Sequence, residues 1–202
     1  MSFQYLKIGF LASGAGSSAR AVVAALEAGE LAGEARLLVS NNRGAPALDF
    51  ARAHGVAALC VPTAADPEAA DARIAQAMAD HEVELVVMSG YLRRLGPKTL
   101  ARYAGRVLNI HPGPLPEFGG EGMYGRRVHE AVLAAGVAES GVVIHLVDNE
   151  YDHGAAVARR AVRIEPGDTA ETLEARVRAV EPAFFVETLQ KLSRGELSLP
   201  KG

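Results

Sequence analysis

The sequence predicts an α/β fold, a doubly wound and mostly parallel sheet with an antiparallel strand addition at its C-terminal end. Three observations predict it. Short apolar runs alternate with helix-patterned segments through the first half of the chain, the order that gives parallel strands with right-handed crossovers. The run Leu85 to Ser89 is rich in valine at consecutive positions, as in a strand covered on both faces. The last two strand-like runs are separated only by Asp148-Asn149-Glu150-Tyr151-Asp152-His153-Gly154, too short for a crossover helix.

Element by element, Tyr5 to Ala12 is an apolar strand closed by the turn Ser13-Gly14-Ala15-Gly16-Ser17. Ser18 to Leu31 sets Val22, Val23, Leu26 and Leu31 mostly at helical spacing; Gly29 weakens its last turn and Gly33 lies past its end. Leu37 to Ser40 reads as a second strand, Ala45 to His54 as a second helix and Val56 to Val61 as a third strand. Asp66-Pro67 opens a third helix, since aspartate caps well and proline at the first helical position forfeits no hydrogen bond. Leu85 to Ser89 is the fourth strand, Pro97 to Tyr103 a short helix and Val107 to Ile110 the fifth strand. After about residue 137 the pattern changes to two strands, Gly141 to Val147 and Ala156 to Ile164, joined like a hairpin. Asp168 with Glu171 makes a capping-box-like start to a final helix bearing Leu173, Val177 and Val180 on one face. Pro182 is expected to interrupt or kink that helix.

Composition excludes several classes. With 202 residues, 49% hydrophobic and 22% charged, the chain is a globular single domain, 1–202, long enough to bury about 70% of its surface. No run reaches the ~20 apolar residues of a membrane span. A net charge of -3 argues against a general nucleic-acid or anionic-membrane binder. The single cysteine, Cys60, excludes an intramolecular disulfide and reads as a buried small hydrophobe. The N-terminal Met1-Ser2-Phe3-Gln4-Tyr5-Leu6-Lys7 has no secretory signal pattern, so a cytoplasmic protein is expected.

Chemistry concentrates in three places. Gly14-Ala15-Gly16-Ser17-Ser18-Ala19 joins the first strand to the first helix, where glycines admit a close ligand and unpaired helical N–H groups favour a phosphate. The string satisfies a dinucleotide fingerprint, but no acidic residue ends the second strand, where Ser40-Asn41-Asn42-Arg43 stands. A phosphate monoester suits it better, and a tight turn with no ligand is the plain alternative. The second place is Asn109-Ile110-His111-Pro112-Gly113-Pro114-Leu115-Pro116. Alternation sets Asn109 and His111 on one side of a strand, roughly 6.6 Å apart, at the carboxyl end where α/β sheets bind ligands. An amide can hold a carbonyl oxygen while an imidazole moves a proton. The third is His145 with Asp152 in the following loop, since a carboxylate orients an imidazole and favours its charged form. Asp148 and Glu150 fit that role equally by composition, and Asp152 also reads as a turn residue.

Taken together in this order, Ser13-Gly14-Ala15-Gly16-Ser17-Ser18, Gly90-Tyr91-Leu92-Arg93, the Asn109 to Pro116 block and His145-Leu146-Val147 with Asp152 and Gly154 resemble the phosphoribosylglycinamide formyltransferase family. The resemblance runs from Ile8 to about Glu181. It implies a Rossmann-like formyltransferase fold, with residues 1–108 as the nucleotide- and phosphate-binding half and 109–202 as the catalytic and folate-binding half. It implies formyl transfer from 10-formyltetrahydrofolate, a co-substrate, to the amino group of glycinamide ribonucleotide in purine biosynthesis, with no metal, by a monomer or homodimer. Asn109 and a protonated His111 are then expected to stabilise the oxyanion, Asp152 to orient His111, and His145 to support the cluster. Gly14, Ala15, Gly16, Ser17 and Ser18 are expected to hold the 5′-phosphate and Glu181 the ribose hydroxyls. Leu92, Arg93, Leu95 and the loop Val147, Asp148 to Asp152 are expected to enclose the pteridine.

Two departures stand out: Ser18 in place of the family's usual asparagine, and Arg178 where a polar amide is common, near the expected phosphate. The glycine-rich string between Pro116 and His129 reads as a mobile loop, with Gly119 to Arg127 either a lid or an ordinary connection. Rival readings are a formyltransferase acting on an amino-sugar nucleotide, a formyltetrahydrofolate hydrolase, a tRNA-acting relative and a non-catalytic nucleotide-binding module. The hydrolase is disfavoured by the start of the first strand at about Tyr5, and the tRNA enzyme by the end of the chain at Gly202. The binding module has no need of Asn109, His111 and Asp152 together.

Overall fold

In the computed structural model, which describes residues 4–199, strands that alternate two apolar faces build one sheet between two helical layers. Met1, Ser2 and Phe3 of the N-terminal reading, and residues 200–202, lie outside the described residues. β1 (Leu6–Leu11), β2 (Gly33–Ser40), β3 (Ala57–Cys60), β4 (Leu85–Met88) and β5 (Val107–His111) run parallel. β6 (Glu139–Leu146) and β7 (Ala156–Arg163) are antiparallel additions, giving the order β3-β2-β1-β4-β5-β6-β7. The fold class expected from the sequence is the one that forms. After β3 the chain returns across β2 and β1 to β4, so β1 and β4 send their helices to opposite faces. A crevice opens where they diverge, outside the carboxyl ends of the strands.

Period-two alternation decides which side chain enters which core. Leu38, Val87, Leu108 and Ile144 join α1 (Ser17–Glu27), α2 (Pro46–Ala53), α5 (Arg126–Ala134) and α6 (Ala170–Ser193) through Val22, Leu48, Val132, Leu173 and Phe185. Leu37, Val39, Val86 and Val107 turn the other way, against Ile74 and Met78 of α3 (Pro67–Asp80) and Tyr103 at the end of α4 (Pro97–Arg102). Phe10 and Phe185 are fully buried, the kind of side chain whose truncation costs about 3–5 kcal/mol. In the β5–β6 pair Asn109 stands opposite His145 and His111 opposite Val143; the β6–β7 register shifts between Ile144 and His145.

Five sequence expectations need correction. α5 was hidden by the glycine-rich string before it: only Val128, His129 and Val132 of its nine residues are buried, too narrow a stripe to stand out among its charges. α1 ends at Glu27; Gly29, at φ +71, is the left-handed stop, and Gly33 opens β2 instead of following the helix. The cap of α6 is Thr169, whose hydroxyl accepts from the Thr172 N–H at 3.2 Å while Thr172 accepts from the Thr169 N–H at 2.9 Å. Asp168 instead takes a bidentate pair of hydrogen bonds from Arg176 at 2.6 and 2.8 Å. Pro182 does not interrupt α6, which continues to Ser193, because Phe184, Phe185 and Leu189 beyond it are buried in the core. Cys60 is only half-buried, since β3 is an edge strand. Asp66 caps α3 as expected, accepting from the Ala69 N–H at 2.9 Å.

Candidate active site

The turn between β1 and α1 is shaped by Gly16, the N-cap residue, at φ 66 and ψ 49. A side chain there is disfavoured by the left-handed backbone, and its Cβ would stand 3.1 Å from that of Ala47. Gly16 gives α1 no side-chain cap and its first turn has no acidic residue; the Ala19 N–H donates to Ser89 Oγ at 3.0 Å, and those of Ser17 and Ser18 are left for an external acceptor. The turn is braced from several sides: Ala47 N–H donates to the Gly14 carbonyl at 3.2 Å, and Arg20 Nε donates to the Ala15 carbonyl at 2.7 Å. Ser13 donates to Asn41 Oδ1 at 2.6 Å and accepts from the Leu92 N–H at 2.9 Å. Asn41 is thus engaged by the turn, and the end of β2 carries no carboxylate for a dinucleotide ribose. Ser17 is exposed, whereas Ser18 is buried, so the two serines do not present alike.

One carboxylate gathers the catalytic candidates. Asp152 Oδ2 lies 3.3 Å from His111 Nδ1 and its Oδ1 lies 3.4 Å from His145 Nε2, while the Gly120 N–H donates to Oδ2 at 3.1 Å. Asn109 Nδ2 is 3.2 Å from His145 Nε2. Of the three acids that composition left open, Asp152 is the one that meets both imidazoles. Each ring also donates from its other nitrogen to a carbonyl, His111 Nε2 to Phe118 and His145 Nδ1 to Leu146, both at 2.7 Å. An imidazolium at His111 satisfies both of its acceptors, and a neutral ring only one. Burial alone pushes the Asp152 carboxyl up, but the hydrogen bonds from His111 and then His145 outweigh it and hold the group well below the usual carboxylate range. Asp152 sits at φ 54, a backbone conformation that a non-glycine residue keeps only when its surroundings hold it there. Gly119 packs so closely that a Cβ on it would lie 2.3 Å from Leu115 Cδ2 and 3.0 Å from Asp152 Cβ.

α6 closes another side. Glu181 is half-buried, and burial pushes its carboxyl up to about 7 against the pull of Arg178 and His111. Arg178 is exposed, with Glu174 at 3.4 Å as its ion-pair partner. The expected Gly119 to Arg127 loop is part loop and part helix, since Arg126 and Arg127 open α5. Its first residues, with Phe118, touch the cluster through the Phe118 carbonyl and the Gly120 N–H. Sequence reasoning gave no role to His129, which is 1% exposed with neither ring nitrogen hydrogen-bonded. Burial pushes its pKa down, and the charges of Glu174 and His111 reach it. Its only sequence signal is a histidine on the apolar stripe of a helix whose existence was itself hidden.

The residues expected to enclose a pteridine are split. Leu95 is buried and lines a cavity of about 370 Å³ with Tyr91, Arg94, Asn149, Ile74 and Pro97, whereas Leu92 is 73% exposed and Arg93 lies on the surface. Val147 is partly buried against the second core. Asp148 shapes its own loop, accepting from the Glu150 N–H and from His153 at 2.8 Å each; burial raises its carboxyl, but the His153 hydrogen bond prevails and lowers it. The Tyr91 hydroxyl has no hydrogen-bond partner, and burial pushes its pKa up to about 12, so it stays a neutral donor and acceptor. The lining mixes apolar side chains, Ile74, Leu95 and Pro97 among them, with the polar Thr63, Asp71, Arg94 and Asn149. Among the described residues no three His, Cys, Asp or Glu side chains are grouped to hold a metal ion, and no helix is long and apolar enough to cross a membrane.

Residues 6–189 match the formyl transferase family model. The chain is 36% identical over 188 residues to a chloroplastic phosphoribosylglycinamide formyltransferase of Vigna unguiculata, covering 92% of this chain but only 60% of that protein. It is 33% identical over 196 residues to phosphoribosylglycinamide formyltransferase of Bacillus subtilis, covering 94% of this chain and 98% of that one. Glycinamide ribonucleotide transformylase 1 from Symbiobacterium toebii superposes with a TM-score of 0.88 at 32% identity, over 99% of this chain and 94% of its own. The sheet order, the glycine turn and the Asn109–His111–Asp152 cluster thus accompany a match over nearly the whole length, and the chain belongs to the formyl transferase family.

Proposed function

We propose that this protein transfers a formyl group from 10-formyltetrahydrofolate to the amino group of glycinamide ribonucleotide, a step of purine biosynthesis. The observation that carries the reading is the grip of one carboxylate, Asp152, on both His111 and His145 beside Asn109. In this reading the amine attacks the formyl carbon and forms a C–N bond. The carbonyl oxygen becomes an oxyanion, held by the Asn109 amide and an imidazolium at His111. The bond from that carbon to folate nitrogen then breaks. The proton lost by the attacking nitrogen reaches the departing nitrogen through His111 or an ordered water. The His111 Nε2 hydrogen, donated to the Phe118 carbonyl in the structure, must turn to the reacting oxygen, so Phe118 has to yield when substrate binds.

The Ser17 and Ser18 N–H groups at the N-terminus of α1, with Gly14 to Ser18, serve the acceptor's phosphate, and Glu181 its ribose hydroxyls. The cavity beside Tyr91 and Leu95, with Val147 to Asp152, serves the pteridine of the co-substrate. No metal is needed, a monomer or homodimer suffices, and a cytoplasmic setting is part of the same proposal. The test is loss of 10-formyl folate, followed by absorbance, with and without glycinamide ribonucleotide. Loss only with the nucleotide, matched by formylated product, supports the transferase. Equal loss without acceptor makes the protein a hydrolase. No turnover in folded protein means the acceptor is another amine.

A further inference from the structure

Between Asp148 and Tyr151 the chain bulges away from the sheet, and its hydrogen bonds are almost all internal to the loop. Among the described residues, only one hydrogen bond ties this stretch to another segment: Arg94 donates to the Asn149 carbonyl. The same guanidinium stands 5.7 Å from the centroid of the Tyr151 ring. Arg94 and Asn149 both line the cavity of about 370 Å³, and Tyr151 directly precedes Asp152. Asp152 itself holds a strained backbone at φ 54.

We propose that Arg94 and Tyr151 form a clasp across the rim of this cavity, which positions the Asp152 loop over the bound formyl donor. The clasp rests on the proposed formyl transfer for its role, but not for its existence. Arg94 is then a positioning residue, acting through the loop and not on the reacting atoms. Arginine suits the task because its flat guanidinium stacks on a ring while its N–H groups donate in plane. Both Arg94 and Tyr151 are exposed, and stacking at such a site is worth about a two- to five-fold change in an equilibrium. A contact of that strength lets the loop open for exchange of the co-substrate and still favours the closed arrangement.

The experiment compares Arg94→Ala, Tyr151→Ala, the double variant and Tyr151→Phe. Expected is an increase of about two- to five-fold in the folate KM for Tyr151→Ala and at least as much for Arg94→Ala, with kcat within about two-fold and the acceptor KM unchanged. The double variant should be no worse than the more affected single variant, and Tyr151→Phe, which keeps the ring, should restore most of the folate affinity lost in Tyr151→Ala. Amide hydrogen exchange in the free protein should quicken across residues 148–152 in both alanine variants and not in Tyr151→Phe. An effect of Arg94→Ala with none from Tyr151→Ala means Arg94 touches the ligand directly, and the clasp is refuted. Unchanged exchange refutes it as well. If wild type transfers no formyl group, the proposed function fails, while the exchange experiment still decides the clasp.

Discussion

Exchanging Glu181 for glutamine removes a carboxyl whose protonated form the folded protein favours. Burial holds it protonated up to about 7 instead of the usual 4.5. Between those two values the folded chain keeps a proton that the unfolded chain has lost. Its contribution to stability is therefore complete below 4.5, declines as pH rises and is gone above about 7. Each tenfold change in proton affinity is worth about 1.4 kcal/mol, so from pH 5.5 to the titration point the wild type loses about 2 kcal/mol. Glu181 is half-buried, and solvent screening brings the expectation to about 1–2 kcal/mol. Glutamine has the same shape and no charge to desolvate. Urea unfolding of both proteins at pH 5.5 and pH 8 should show the variant gaining that amount relative to wild type at the higher pH. A stability difference equal at the two pH values refutes the desolvation reasoning. If the carboxylate also accepts from the acceptor's ribose, the same variant should raise the acceptor KM about tenfold while gaining stability, a loss of binding that damage to the fold does not explain.

Asp152→Asn removes the charge that holds both imidazoles, and kcat/KM should fall about 10³-fold with the far-ultraviolet circular dichroism unchanged. Because the Asp152 carboxyl is held low in the folded state, wild type should lose stability as pH falls below its ordinary 3.8, and the variant should lose less over that range; urea unfolding at pH 3 and pH 6 checks it. Gly119→Ala should cost about tenfold or more in kcat, since the new methyl meets Leu115 and the Cβ of Asp152; activity within two-fold of wild type would show that the loop gives way freely. His129→Phe replaces an imidazole with no hydrogen bond by an apolar ring and should raise stability by about 1 kcal/mol at pH 7.5. Its pKa is held down in the folded state, so that gain should grow as pH falls below 6.5, where only the unfolded wild type takes up the proton; thermal unfolding at pH 7.5 and pH 6 measures it.

The strand and helix alternation was legible because each strand carries its own two-faced apolar pattern. So was the pairing of Asn109 with His111, which depends only on strand parity. Asp152 could not be told from Asp148 or Glu150, because the choice rests on a left-handed backbone in a loop, held by contacts with residues far away in sequence. α5 and His129 were hidden for a related reason: a helix with three buried residues takes its stability from the surface it covers. Pro182 shows the converse, a strong local signal overruled by the packing of Phe184 and Phe185.

The antiparallel pairing of β5 with β6 makes the centre an alignment gauge. Asn109 and His145 meet because they are cross-strand partners, and a slip of one residue sends His145 to the opposite face. A misaligned sheet could still be compact and helical by spectroscopy while lacking any centre at all. The irregularity between Ile144 and His145 lies on the other edge of β6, toward β7. The one-residue offset there, with Ala158 opposite Ile144 and Ala156 opposite His145, is absorbed in β7 and leaves the β5–β6 register unbroken. Insertions should therefore be tolerated in β7 and ruinous in β6, and turnover reports the latter where no spectrum does.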